Sequence, residues 1–247
     1  MKISIVIPTW NEETWLPRLL ESLKPIASVD EIIIADNNSI DHTVALAKRY
    51  DCKIVQGGKP AQGRNAGGRA AKNDLIIFID ADAIVTPPVI EALEKIFSDP
   101  KVIGAHFSIQ PITSDKFIIV CYWLMNLYFY TLLKLGVAQG IGGFIAVRKS
   151  AFEKVGGFDE TLEAAEDTDF HRRLGKVGKV IFEPKHKVLV SARRYSIEKP
   201  MTFILKCLVW APLRLFGIQA SLINYRWSIY SDSLLEQEAM LLQGMGK

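Results

Sequence analysis

Leu75-Ile76-Ile77-Phe78-Ile79-Asp80-Ala81-Asp82 is an unbroken apolar run that stops at two aspartates. A short run of this kind, bounded by turn residues, reads as a strand buried on both faces. Alternate residues of a strand share a side, so Asp80 and Asp82 approach one point at its exit. Two carboxylates there suit a hard divalent cation, Mg²⁺ or Mn²⁺, which could bridge the oxygens of a diphosphate and neutralise the charge building on a leaving group. Aspartates at a strand end are equally well read as plain turn residues. The neighbours of the triplet have to decide between the two.

Upstream, Ile3 to Ile7, Glu31 to Ala35 and Lys53 to Val55 are further buried-strand patterns. Helical patterns lie between them. Trp15, Leu16, Leu19, Leu20 and Leu23 fall on one helix face, and Asp41 can cap a second helix from Thr43 to Tyr50. Strands alternating with helices predict an α/β fold of parallel βαβ units. In such sheets the ligand crevice lies beyond the carboxyl ends of the strands. Three polar clusters fall there: Pro8 to Glu13, Asp36 to Asp41, and Asp80 to Asp82.

Downstream, Val102 to Phe107 reads as a strand, and Phe117 to Leu133 is uncharged between Lys116 and Lys134. A Gly140-Ile141-Gly142-Gly143 turn leads into a strand from Phe144 to Val147, a helix covers Glu166 to Lys176, and strands near Val180 and Val188 close the domain. From Ser191 to Ser231 the cations Arg193, Arg194, Lys199, Lys206, Arg214 and Arg226 face the single acid Glu198 among many apolar residues. That is the pattern of a basic amphipathic tail. The expected division is a catalytic domain at 1–195 and a helical tail at 196–247.

With 30 Lys and Arg against 27 Asp and Glu, the net charge of +3 gives no reason to expect nucleic acid. Cys52, Cys121 and Cys207 form no metal or redox pair and read as buried thiols in a reducing cytoplasm. The apolar start is too short for a secretory h-region.

Several other residues could carry chemistry. Asp36 abuts its strand and could accept a base imide hydrogen or a ribose hydroxyl, whereas Asn38, Ser39 and Asp41 read as turn and cap residues. Gly57 to Gly68 supplies flexible backbone beside Lys59 and Arg64, which could reach phosphate oxygens, yet it is neither a P-loop nor a dinucleotide fingerprint. Acids at Glu166, Asp167 and Asp169 are expected from the helix dipole alone, although a carboxylate held in a cleft can also take a proton. Of the four histidines none makes a ligand pair, and His171 beside Arg172 and Arg173 reads as helix surface.

Taken in order, Ile5-Val6-Ile7-Pro8-Thr9-Trp10-Asn11-Glu12-Glu13, Ile33-Ile34-Ala35-Asp36-Asn37-Asn38-Ser39, Gly63-Arg64-Asn65-Ala66-Gly67, the strand ending Asp80-Ala81-Asp82, and Gly156-Gly157-Phe158-Asp159-Glu160 followed by Glu166-Asp167 resemble family 2 of the inverting glycosyltransferases, over roughly residues 1 to 195. The resemblance implies the GT-A fold, with a mostly parallel central sheet flanked by helices. It implies that Pro8, Thr9, Glu12 and Asp36 line the nucleotide base and ribose, that Arg64 and Asp80 approach the nucleotide, and that Asp82 is the metal ligand for Mg²⁺ or Mn²⁺. It further implies Asp167 as catalytic base, Gly142 and Gly143 under the donor sugar and acceptor, and a nucleotide-sugar donor, with UDP favoured.

Two departures from the family pattern matter. Asn37-Asn38 replace the frequent Asp-Gly, and Ser191-Ala192-Arg193-Arg194 stands where many members carry a metal-contacting histidine, His186 being too early. Arg193 and Arg194 could bind diphosphate or lipid phosphate. The processive enzymes' motif is absent, which favours transfer of a single sugar to a glycan or lipid-linked acceptor of the cell envelope. Phe117 to Leu133 is short of the roughly 20 residues of a membrane span and is expected to be a buried or interfacial helix. With the basic tail, it leads us to expect a cytoplasmic enzyme, peripheral on an anionic membrane surface. Two alternatives stand beside this reading: a haloacid-dehalogenase-type phosphohydrolase using Asp80 and Asp82, and a non-catalytic binding module.

Overall fold

The computed structural model describes residues 1–140, 142–162 and 165–193; Arg194 and the expected tail at 196–247 lie outside the described residues. The elements run β1 Ile3–Thr9, α1 Leu16–Leu23, β2 Val29–Asp36, α2 Thr43–Arg49, β3 Lys53–Gln56, α3 Pro60–Ala70, β4 Leu75–Ile79, β5 Ala83–Ile84, α4 Pro87–Phe97, β6 Val102–Ile112, α5 Lys116–Lys134, β7 Phe144–Arg148, α6 Lys149–Lys154, α7 Glu166–Gly175 and β8 Lys179–Ser191. The two short strands expected near Val180 and Val188 are one strand, β8, whose pairing with β6 shifts register between Phe107 and Ser108.

One sheet holds all eight strands in the order β3-β2-β1-β4-β7-β6-β8-β5. Strands β1 to β4, β6 and β8 run one way, and β7 and β5 run against them. Successive βαβ crossovers place β2 and β3 on one side of β1, and the next crossover places β4 on the other side. The sheet therefore reverses direction of growth between β1 and β4, which opens a crevice beyond their carboxyl ends. Thr9 and Asp80 stand at those two exits.

Strand alternation divides the core into two layers. Ile3, Ile5, Ile7, Leu75, Ile77 and Ile79 face Leu16, Leu19, Leu20 and Leu23 of α1 and Val89, Ile90, Leu93 and Phe97 of α4. Val6, Ile76 and Phe78 face the opposite side, with Phe152, Phe158, Phe170 and Leu174. There Phe78 meets Phe158 edge-on at 5.0 Å, and Phe158 stacks on Phe170 at 4.1 Å. This aromatic knot fixes the start of α7 against β4.

Two expectations change. Gly57 to Gly68 is not a flexible loop: Pro60 opens α3, and Gln62 Oε1 accepts from the Lys59 backbone N–H at 3.0 Å. Its glycines serve close packing. A side-chain carbon at Gly67 would overlap Val6, and one at Gly68 would lie 2.6 Å from the Phe152 ring.

Helix α5, expected to be buried or interfacial, is long and apolar enough to cross a membrane and is only partly buried, so the buried alternative falls. Asp115 caps it by accepting from the Phe117 N–H at 2.8 Å. Its inner side carries Ile118, Cys121, Tyr122 and Phe129 into the domain. Asn126 clips it to β6 by donating to the Ile109 carbonyl at 2.8 Å and accepting from the Ile109 N–H at 3.1 Å. Phe117, Val120, Trp123, Leu124 and Leu127 are exposed on the outer side.

Candidate active site

At the β1 and β2 exits the two loops are sewn together. Asp36 Oδ1 accepts from the Thr9 hydroxyl at 2.9 Å and from the Ser39 hydroxyl at 2.6 Å, while Oδ2 accepts from the Ser39 N–H at 2.9 Å. A carboxylate has about four acceptor positions, so these three bonds leave room for one more donor. Asn11 and Asn38, both at φ 55°, turn the chain here. Asp41 accepts from the Thr43 N–H at 3.0 Å in a turn one residue ahead of His42, which stands at the N-cap of α2. Pro8 packs over α3, where a side-chain carbon at Gly63 would come within 3.2 Å of its Cβ.

Helix α3 carries Arg64 into the centre of the crevice, 3% exposed. Its Nη2 donates to Asp80 Oδ1 at 2.8 Å and its Nη1 to Glu166 Oε1 at 2.5 Å, with the guanidinium 5.6 Å from the centre of the Phe158 ring. Burial alone would lower the pKa of Arg64, but Asp80, Glu166 and Asp167 outweigh it and push it up. Next to it, Asn65 donates to the Phe158 carbonyl and to Glu160, each at 2.8 Å, and accepts from the Phe158 N–H at 2.7 Å. Two separated motifs thus dock through one amide, and Asn65 positions the turn that leads towards α7.

Helix α7 opens at Ala165 with φ 56°, a left-handed conformation that costs a residue with a Cβ roughly 1–2 kcal/mol. From there Glu166 and Asp167 reach the crevice. Burial pushes the Asp167 carboxyl above its ordinary range; Arg64 and backbone bonds from Thr168 and Gly142 oppose this, and Asp80 adds to it. Glu166 is also pushed up, chiefly by burial and against the pull of Arg64. A side-chain carbon at Gly142 would lie 2.9 Å from Arg64 Nη2 and 3.1 Å from Asp167 Oδ2. Only glycine leaves space there. The Gly143 carbonyl accepts from the Asp80 N–H at 3.5 Å, so the glycine turn borders both acidic clusters.

His171, read from sequence as helix surface, is 1% exposed. Its Nδ1 lies 2.8 Å from the Asp167 carbonyl, and its ring meets His106 edge-on at 4.7 Å. Burial depresses its pKa to about 4, so the ring is neutral at pH 7 and its Nδ1–H donates to that carbonyl. Helical spacing from Thr168 and Leu174 marks this position as part of the buried face of α7, a signal that the two arginines following it obscure.

The third cluster joins residues far apart in sequence. Arg193 Nε donates to Asp82 Oδ2 at 2.8 Å, while Nη1 and Nη2 grip Glu12 at 2.8 and 2.7 Å. The Ser191 N–H donates to the Asp82 carbonyl at 3.0 Å and holds the end of β8 against this strand exit. Glu12 is pushed up to about 7 by burial, with Arg193 opposing and Asp82 and Asp80 adding to it.

Among the described residues, Glu12, Asp80, Asp82, Glu166 and Asp167 gather around Arg64 and Arg193. Among the described residues no three His, Cys, Asp or Glu gather into a protein-only metal cage. His186 pairs with Glu183 on β8. This donor set fits Mg²⁺ or Mn²⁺, which are commonly held by one or two carboxylates together with substrate phosphates; here Asp82, with Asp80 beside it, would supply them.

The model of glycosyl transferase family 2 matches residues 4–156. The chain belongs to glycosyltransferase family 2. Residues 130–199 of this glycosyltransferase also match a family described as the N-terminal domain of galactosyltransferase. It is 30% identical over 216 residues to an uncharacterized glycosyltransferase of Haemophilus influenzae, covering 81% of this chain and 67% of that one. It spans 41% of one further curated relative and as little as 16% of others. Its fold is that of the Pyrobaculum calidifontis mannosyltransferase PcManGT, solved with GDP-Man and Mn²⁺ (TM-score 0.68, 16% identity, 97% of this chain and 69% of that one). It is also that of glucosyl-3-phosphoglycerate synthase from Mycobacterium tuberculosis, solved with Mn²⁺, UDP and glucosyl-3-phosphoglycerate (TM-score 0.63, 18% identity, 93% and 85%). The expected GT-A architecture is therefore present. Within it the glycosyltransferase brings Thr9 to Asp36, Arg64 to Asp80 and Asp167, Gly142 to Arg64 and Asp167, and Glu12 to Asp82 through Arg193. The pairing of Arg193 with Glu12 and Asp82 and the Arg64–Glu166 bond had no local sequence signal, because the partners lie across the chain.

Proposed function

We propose that the protein moves a single sugar from a nucleotide-diphosphate sugar to an acceptor hydroxyl or lipid phosphate in one inverting displacement. One observation carries the reading: Asp167, with its pKa raised, lies beside Arg64 and the side-chain-free Gly142. Burial makes this carboxylate a stronger base than an exposed aspartate, and a side chain at Gly142 would crowd both it and Arg64. The acceptor gives its proton to Asp167 as its oxygen attacks the anomeric carbon opposite the departing diphosphate. Thr9, Asp36 and Glu12 border the base and ribose, and Asp36 has one acceptor position left for them. Arg64 is held towards the phosphates by Asp80 and Glu166. A divalent ion at Asp82 would neutralise charge on the leaving diphosphate.

UDP is the favoured nucleotide, and a glycan or lipid-linked molecule the favoured acceptor. Nucleotide-sugars that bind only the folded chain raise its melting temperature. A thermal-shift panel with and without Mn²⁺ is expected to give a shift with one UDP-sugar that depends on Mn²⁺ and is lost in Asp82→Ala. A metal-independent shift with GDP-sugars would move the assignment to the other nucleotide.

The outer side of α5 supports a place on the cytoplasmic face of an anionic membrane. Its apolar stripe Phe117, Val120, Trp123, Leu124 and Leu127 is open to solvent and flanked by Lys116 and Lys134. The basic sequence from Arg193 to Arg226 follows β8, whose Ser191 pairs with Ile112 just ahead of α5. Apolar insertion and basic attraction together favour anionic bilayers. The chain is expected to sediment with phosphatidylglycerol vesicles at low salt and to leave them as salt is raised. A protein that stays in the supernatant at low salt contradicts this location.

A further inference from the structure

The guanidinium of Arg193 occupies Asp82, the carboxylate that the proposed function reserves for a metal ion. All three of its nitrogens are committed to carboxylates, Nε to Asp82 and the two terminal ones to Glu12. The group is 5.7 Å from the centre of the Trp15 ring, which backs it with an aromatic face. The Arg193, Asp82 and Glu12 side chains are 11%, 18% and 14% exposed, so water screens these contacts little.

We propose that Arg193 keeps the metal position at Asp82 closed until a nucleotide diphosphate arrives. The inference rests on the glycosyltransferase reading of Asp82 given above. A divalent cation entering beside Arg193 meets a buried like charge and a carboxylate oxygen already engaged. A diphosphate resolves both. Its oxygens give the planar guanidinium a new bidentate partner, release Asp82, and supply the remaining ligands that Mg²⁺ or Mn²⁺ requires. Metal and nucleotide then bind as a coupled pair, each raising the affinity of the other by the same factor. Arg193 acts here as a positioning residue, setting the order in which the charges enter the crevice.

Electron paramagnetic resonance of free Mn²⁺, titrated with the full chain in the absence of nucleotide, tests this without turnover. The wild type is expected to bind Mn²⁺ weakly. Arg193→Ala should bind it at least tenfold more tightly, and the gain should vanish in Arg193→Ala with Asp82→Ala. Arg193→Met combined with Glu12→Gln removes both members of the buried pair and should show the same gain if the alanine variant folds poorly. No tightening in either variant, or a gain that survives loss of Asp82, overturns the proposal. Adding UDP or GDP to the wild type and to Asp82→Ala separates the two levels: nucleotide-dependent Mn²⁺ binding that does not need Asp82 contradicts the metal assignment itself.

Discussion

Asp167→Asn is expected to lower transfer by roughly 10²–10⁴-fold, the usual contribution of a positioned general base, while the donor dissociation constant changes by no more than a few-fold. Asparagine has the same shape and fits the same gap beside Gly142, and Arg64 keeps its bonds to Asp80 and Glu166. The variant therefore loses a proton acceptor and little else. The wild-type pH profile carries the same signature. Burial raises the pKa of Asp167, so the base takes up its proton at a higher pH than an ordinary aspartate. Activity should fall as pH drops through that raised value, with the acid limb above the usual carboxylate range. Steady-state rates with donor titrations check both statements, and full transfer by Asp167→Asn would remove the residue from its role.

Arg64→Ala should combine the largest loss of stability with a loss of donor binding. The guanidinium is 3% exposed and its partner Glu166 13%, so the variant strands a buried carboxylate next to Asp167. Breaking a buried pair from one side costs about 3–5 kcal/mol. The Asp80 arm adds little, because that side chain is 38% exposed. For a chain of this size the melting temperature should fall by something on the order of 10 °C. Arg64→Lys keeps the charge but loses the fork that spans two carboxylates, and should recover only part of the loss. A melting temperature unchanged in Arg64→Ala would show that the carboxylates are accommodated some other way.

The sheet was legible wherever one strand reports on itself. Ile3 to Ile7 and Leu75 to Ile79 are apolar on both faces, and their exits carry the polar residues the crevice uses. Legibility failed where a residue type served a purpose other than its commonest one. The glycines of α3 suggest mobility, yet they let a helix approach Val6 and Phe152 more closely than side chains permit. His171 is followed by two arginines in the sequence and is nevertheless turned into the core. The eleven residues from Pro87 to Phe97 form α4, although the sequence reading assigns no element there. In the site, individual carboxylates could be picked out from strand exits and motif order. Their pairing could not: Arg193 lies 181 residues from Glu12 and 111 from Asp82. Such contacts exist only once the sheet order brings the end of β8 next to Asp82.

The stereochemistry of transfer tests the central claim most directly. Nuclear magnetic resonance of a reaction run with the nucleotide-sugar selected by thermal shift reads the anomeric configuration of the first product and the identity of the phosphate released. A single displacement assisted by Asp167 predicts a nucleoside diphosphate and a product of inverted configuration. Retention of configuration would contradict that displacement, and release of orthophosphate from simple phosphoesters without sugar transfer would return Asp80 and Asp82 to the phosphohydrolase reading.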